Sequence, residues 1–135
     1  MLKLSKKSEY ALMAARYMAI KNHGTAVTAK EIADQHQISF DLVAKVLQNL
    51  TKNEITVSFQ GVKGGYILKK NPLEISLIDL IRAVEPNYQI TNCLNTDVSK
   101  NECSHSDCCK IKDPLAEVQK IIDNIFYETK LSQII

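Results

Sequence analysis

The sequence predicts a mainly α fold with a small β wing: a winged helix-turn-helix followed by a long C-terminal helix. Three observations carry that reading. Between Thr28 and Lys52 stand two stretches of helical periodicity, each opened by a hydroxyl side chain and separated by a short turn. A glycine-rich turn, Gly61 to Gly65, then parts two short runs with strand-like alternation. A last amphipathic stretch opens on Asp113-Pro114 and continues towards Ile135.

The elements follow in order. Ser8 to Lys21 is expected as the first helix, because Tyr10, Leu12, Met13, Ala14, Tyr17, Met18 and Ile20 recur at helical spacing and Asn22-His23-Gly24 stops the run. Thr28 with Glu31 is a capping-box signature that starts a short helix ending near Gln35 to Gln37. Ser39 caps the next, which buries Leu42, Val43, Val46, Leu47 and Leu50 and ends near Lys52. Asn53 is expected to close it in the left-handed conformation. Ile55 to Phe59 and Tyr66 to Leu68 make the wing. Ser76 and Asp79 cap a helix from Leu77 to Val84, which Pro86 ends. Residues 87–112 read as a long polar loop, and loops of that length are usually functional or mobile. Asp113 is expected to cap the last helix, with Pro114 at its first position. Its apolar stripe, Leu115, Val118, Ile121, Ile122, Ile125 and Phe126, is too broad for a solvated tail and calls for the first helix or a second copy of the chain as cover.

With 135 residues the chain fits one domain with a small appendage, and 45% apolar with 24% charged residues argues against disorder. No apolar run approaches the ~20 residues of a membrane span. The N-terminus begins with lysines, but its apolar stretch is cut by Arg16 and lacks a clear cleavage site, so it reads as mature protein and not as a signal peptide. The net charge of +2 hides an asymmetry. Residues 1–85 carry 12 Lys/Arg against 8 Asp/Glu, whereas residues 86–135 carry 5 against 7. A basic front half suits nucleic acid, although an excess this small is weak evidence by itself.

In a helix-turn-helix the second helix enters the major groove. Its candidate reading face is Ser39, Phe40, Asp41, Lys45, Gln48 and Asn49, with Lys45 suited to guanine or phosphate and Gln48 to adenine. Thr28 and Lys30 are candidate phosphate contacts at a helix N-terminus. Gln60 and Lys63 stand on the wing. A winged helix can also serve as a protein-interaction scaffold, which is the bland alternative.

All four cysteines, Cys93, Cys103, Cys108 and Cys109, fall within one short segment. Without a secretory signal, such a cluster favours a reducing, cytoplasmic setting and metal or redox chemistry over disulfides. Thiolates select zinc, copper(I) or iron–sulfur clusters. The Cys-x-x-Cys knuckle of a structural zinc site is absent, and three well-separated thiolates suit a cluster with several irons. Zinc, with His105 as a fourth ligand, and a set of free thiols remain the alternatives. Cys108, Cys109 and His105 lie close in sequence, but nothing suggests an oxyanion arrangement, so no enzyme is expected.

The order of parts resembles the IscR–NsrR family of bacterial winged-helix iron–sulfur regulators. The resemblance runs through Leu4-Ser-Lys, Tyr10-Ala11, Ile38-Ser39, Leu50-Thr-Lys-Asn53, the wing Gly61-Val-Lys-Gly-Gly-Tyr66, the stretch from Ile75 to Glu85, the loop cysteines and Thr129-Lys-Leu131. It implies a homodimer built on the C-terminal helices, each protomer giving one winged helix to a pseudo-palindromic double-stranded operator. It implies an iron–sulfur cluster, 4Fe–4S or 2Fe–2S, held by Cys93, Cys103 and Cys109, with Cys108 as the alternative to Cys109. It also implies Glu9 of the partner subunit as a fourth ligand. The arginine common in the family where Gln60 stands is missing. The resulting division is a DNA-binding domain over 1–85, a cluster loop over 86–112, and a dimerisation helix with tail over 113–135. The function so implied is transcriptional regulation, a repressor before an activator, responding to cluster status, nitric oxide, iron or redox stress. The rival is a cluster-free thiol or zinc-stabilised interaction module.

Overall fold

The computed structural model describes residues 3–21, 25–89 and 111–135. Among these residues the elements follow in the order α1 (Lys6–Ile20), α2 (Ala29–His36), α3 (Phe40–Lys52), β1 (Thr56–Phe59), β2 (Gly65–Leu68), α4 (Leu77–Val84) and α5 (Lys112–Glu128), closed by a 3₁₀ turn, Leu131–Ile134. Mainly helical with a two-stranded antiparallel wing, this is the predicted fold class. Among the described residues no helix is long and apolar enough to cross a membrane.

The core forms where the helices turn small or branched side chains towards each other. From α1 come Ala11, Ala14, Ala15 and Met18, and the alanines let α3 and α4 approach closely. Ile32, Val43, Val46, Leu47, Leu50, Ile55, Leu80 and Leu131 fill the interior. Leu131 belongs to the chain end. The Leu131 N–H donates to the Ile75 carbonyl at 2.8 Å and the Leu77 N–H to that of Thr129 at 2.9 Å, which sews the tail to the start of α4. The Arg16 guanidinium donates to the Ile134 carbonyl at 2.9 Å and ties the same tail to α1.

Most caps stand where local chemistry puts them. Ser39 Oγ accepts from the Leu42 N–H, and Ser76 with Asp79 forms a reciprocal capping box. Four expectations shift. The first helix begins two residues early, because Ser5 Oγ accepts from the Ser8 N–H and makes Ser5 the cap. The Thr28 box is only half formed. Its hydroxyl accepts from the Glu31 N–H at 3.0 Å, but the Glu31 carboxylate turns to Lys21, the residue that closes α1, at 3.6 Å. The last helix starts on Lys112 with Ile111 as cap, so Asp113 and Pro114 lie inside the first turn. Proline fits there because the first amides of a helix have no intrahelical acceptor.

Asn53 is the fourth shift. It keeps φ −93°, and Glu54 takes the left-handed conformation at φ +62°. The Ile55 N–H closes to the Leu50 carbonyl at 2.9 Å and the Glu54 N–H to that of Thr51 at 3.0 Å, a complete Schellman motif that sets the left-handed residue one place later. The Asn53 amide is occupied with the Asn49 carbonyl at 2.8 Å. A non-glycine residue there is strained by ~1–2 kcal/mol. The compensating Glu54–Lys69 ion pair is exposed and 3.6 Å long, hence weak. Glu54→Gly is therefore expected to stabilise the fold by about 0.5–1 kcal/mol after the added unfolded-state entropy is subtracted. A urea midpoint measures this, and a lower midpoint would show that the ion pair outweighs the strain.

The hairpin register pairs Thr56 with Leu68 and Ser58 with Tyr66. The outer edge of β2 is bridged by Val27, whose N–H and carbonyl both bond to Tyr66. That approach requires Gly65: at φ +147° an added Cβ would come within 2.7 Å of the Val27 carbonyl oxygen.

Candidate nucleic-acid interface

The α2–turn–α3 unit leaves one face of α3 uncovered. Asp41, Lys45, Gln48 and Lys52 recur at helical spacing along it and are all exposed. Ser39 and Phe40 stand at its N-terminal end, with Phe40 about half exposed. Such a face offers cations for guanine or phosphate, an amide for adenine, a carboxylate for cytosine and an apolar ring for a thymine methyl. Asn49 is half-buried at its edge. Thr28 and Lys30 are exposed at the start of α2, where unpaired amides also face outward. Gln60 and Lys63 are exposed at the wing, next to the fully exposed Val62. Among the described residues, Lys30, Lys45, Lys52 and Lys63 enter no ion pair. Their charge is free for a polyanion.

The structure thus brings the predicted reading residues onto α2, α3 and the wing. It adds others that sequence reasoning missed. A groove of about 400 Å³ runs between α3 and the hairpin, lined by Gln48, Asn49, Thr51, Lys52, Ser58 and Tyr66. Ser58 and Tyr66 are cross-strand partners, so they share the hairpin face that turns towards α3. Thr51 fixes the floor: its hydroxyl meets that of the buried Thr56 at 2.7 Å and donates to the Leu47 carbonyl at 2.9 Å. The available signal was a serine at a strand position that period-two alternation points inward.

A second constellation joins α4, α5 and the segment leaving α4. Arg82 of α4 pairs with Asp123 of α5 at 3.0 Å, and the buried Gln119 donates to the same carboxylate at 2.7 Å. Tyr88 packs edge-on against Phe126, with ring centroids 6.3 Å apart. Burial pushes the Tyr88 phenol above its ordinary value, partly offset by a hydrogen bond with Gln119. The phenol therefore stays protonated at neutral pH. These contacts clamp one end of the cysteine-bearing segment to α5.

Cys93, Cys103, Cys108, Cys109 and His105 lie outside the described residues. Among the described residues no group of three or more His, Cys, Asp or Glu side chains could hold a metal ion. Glu9 sits in the first turn of α1, paired with Lys6 at 3.3 Å. The Lys6 side chain is largely open to solvent and that of Glu9 is half-exposed, so the pair contributes little and leaves the carboxylate within reach of another partner.

The outward side of α5 is apolar. Ile111, Val118, Ile121 and Ile125 are 60%, 41%, 60% and 58% exposed. Ile111, Val118 and Ile125 repeat every seventh residue with Ile121 between them, the spacing of a helix–helix seam. Phe126, by contrast, packs against the core. The broad stripe is therefore divided: one side is covered by α4 and Tyr88, and the other is exposed.

The fold and the sequence both have counterparts among known proteins. Residues 4–135 match the Rrf2 family of iron-dependent transcriptional regulators. The HTH-type transcriptional regulator NsrR of Oceanobacillus iheyensis is 31% identical over 134 residues, covering 99% of this chain and 90% of that protein. Among solved structures, T. potens IscR superposes with a TM-score of 0.72 at 26% identity, over 98% of this chain and 85% of that one. CymR, the global cysteine regulator of B. subtilis, superposes with a TM-score of 0.68 at 25% identity, over 99% and 96%.

Proposed function

Since the chain belongs to the Rrf2 family of DNA-binding transcriptional regulators, we propose that it is a homodimeric repressor whose operator affinity is governed by an iron–sulfur cluster. The observation that carries this reading is the placement of all four cysteines on one segment whose flanks, Tyr88 and α5, are locked to the DNA-reading unit. The donor set fits a cluster: soft thiolates on a segment without a zinc knuckle. Cys93, Cys103 and Cys109 would be the ligands from one protomer, with Cys108 the alternative to Cys109. Glu9 of the partner subunit would complete the set. Bound there, a cluster would supply a centre open to attack by nitric oxide or oxidants, most readily at the harder carboxylate ligand. Glu9 lies on α1, which packs against α3 and α4. A ligand on α1 would therefore join the loop of one protomer to the DNA-reading unit of the other. Its release would let the two reading units move relative to each other.

The dimer rests on the outward stripe of α5. A pair of such stripes buries isoleucines that a monomer leaves in water, at about 1.5–3 kcal/mol for each fully covered side chain. Two winged helices related by a two-fold axis fit a pseudo-palindromic operator.

The experiment is anaerobic purification with iron, sulfide and zinc analysis. Brown protein with matched iron and sulfide supports the reading, and colourless protein with stoichiometric zinc overturns it. The similarity to CymR favours a second reading, a cluster-free thiol regulator, and metal-free protein that still binds its operator would favour that one. Glu9→Ala is expected to leave the circular dichroism and melting midpoint near those of the parent while shortening cluster lifetime in air. An unchanged lifetime returns Glu9 to a first-turn charge at a helix dipole.

A further inference from the structure

The groove between α3 and the hairpin has a composition that base reading does not require. Lys52 forms no ion pair among the described residues, and neither the Ser58 nor the Tyr66 hydroxyl is hydrogen-bonded among them. Three donors therefore line one groove without internal acceptors. Their position decides what they meet. The exposed stripe of α3 addresses the major groove, and the wing lies beside it over a neighbouring minor groove or the backbone. Between a major and a minor groove runs a sugar–phosphate strand. That strand must cross the space between α3 and the hairpin, which is where the groove lies.

We propose that this groove is a phosphate seat, in which Lys52, Ser58 and Tyr66 hold one backbone phosphate of the strand separating the two grooves. The Lys52 ammonium neutralises it, while Ser58 and Tyr66 donate hydrogen bonds to its oxygens. Lys52 suits this role as a point charge on a flexible stem. The hydroxyls are held in register by the Ser58–Tyr66 cross-strand pair, and the anchored Thr51 keeps α3 at a constant distance from the hairpin. Such a contact sets where the protein sits on the duplex and carries no base preference. This seat rests on the DNA-binding reading and assigns Lys52, at the C-terminal end of the exposed α3 face, to the backbone and not to a base.

The test uses the full-length dimer and a duplex that the protein itself selects from a random-sequence pool. Binding is followed by fluorescence anisotropy over a range of KCl concentrations. Lys52→Gln removes one neutralised phosphate per protomer, so the slope of log K against log salt should fall by about 1.8 for the dimer, at about 0.9 per phosphate. Affinity near physiological salt should drop about 30-fold. Lys52→Arg should keep the slope. Tyr66→Phe should weaken binding about tenfold with the slope unchanged, because only a neutral donor is lost. None of these variants should alter base preference when selection is repeated. A Lys52→Gln protein with parental slope overturns the proposal, as does one whose base preference changes. Failure of the parent protein to select any duplex overturns instead the DNA-binding reading beneath it.

Discussion

Ile121→Lys is expected to give a folded monomer. Ile121 is 60% exposed in the isolated chain, so the substitution removes little from the core and should leave circular dichroism unchanged. In a two-fold dimer each substitution acts twice, and losing two buried isoleucines costs ~3–6 kcal/mol, or ~10²–10⁴ in the dimer dissociation constant. A like-charge pair in the seam adds to this. Sedimentation velocity should show the parent as a dimer and the variant as a monomer at micromolar protein. Operator affinity should fall in parallel, because two linked reading units bind far more tightly than one. A variant that remains dimeric would move the interface away from α5.

Cys109→Ala is expected to abolish the absorption of the cluster, whereas Cys108→Ala should spare it. A cluster that keeps only two of its thiolates lacks the ligands to hold its irons, so the loss should be complete. Iron and sulfide content per protomer, with the visible spectrum of anaerobic protein, measures both variants. The reverse pattern would assign the third thiolate to Cys108. Loss in both would require both sulfurs.

What could be read from the sequence was chiefly what is local. Thr28, Ser39 and Ser76 cap helices because a hydroxyl beside an amide needs only its immediate neighbours. The wing followed from alternation about a glycine turn, and Gly65 is confirmed there by its approach to Val27. Features decided at a distance were less legible. The left-handed residue after α3 is Glu54 and not Asn53, because the closure from Ile55 to Leu50 fixes the position. Glu31 completes no box because Lys21, at the end of another helix, competes for it. The groove residues Lys52, Ser58 and Tyr66 required the register of the hairpin against α3, which no single segment contains. The stripe on α5 was visible, yet only packing divides it into Phe126, turned inward, and Val118, Ile121 and Ile125, turned out.

The overall charge of +2 likewise conceals the basic reading half, where Lys30, Lys45, Lys52 and Lys63, in no ion pair among the described residues, lie on α2, α3 and the wing. The opposite half packs back on it through the chain's tail, bonded to α4 and α1, and through α5. Arg82, Asp123, Gln119 and Tyr88 connect α4, α5 and one flank of the cysteine segment. Any regulation by that segment must bias an equilibrium between two arrangements, and binding at the two sites must then be coupled reciprocally.

That coupling is the central claim, and one titration addresses it. Anaerobic, cluster-loaded protein is titrated with its selected operator, and the same preparation is titrated again after the cluster is removed by nitric oxide. A coupling of 1–3 kcal/mol predicts an operator affinity that falls about 5–150-fold on removal. Equal affinity before and after, with the cluster verified by iron and sulfide analysis, would contradict it.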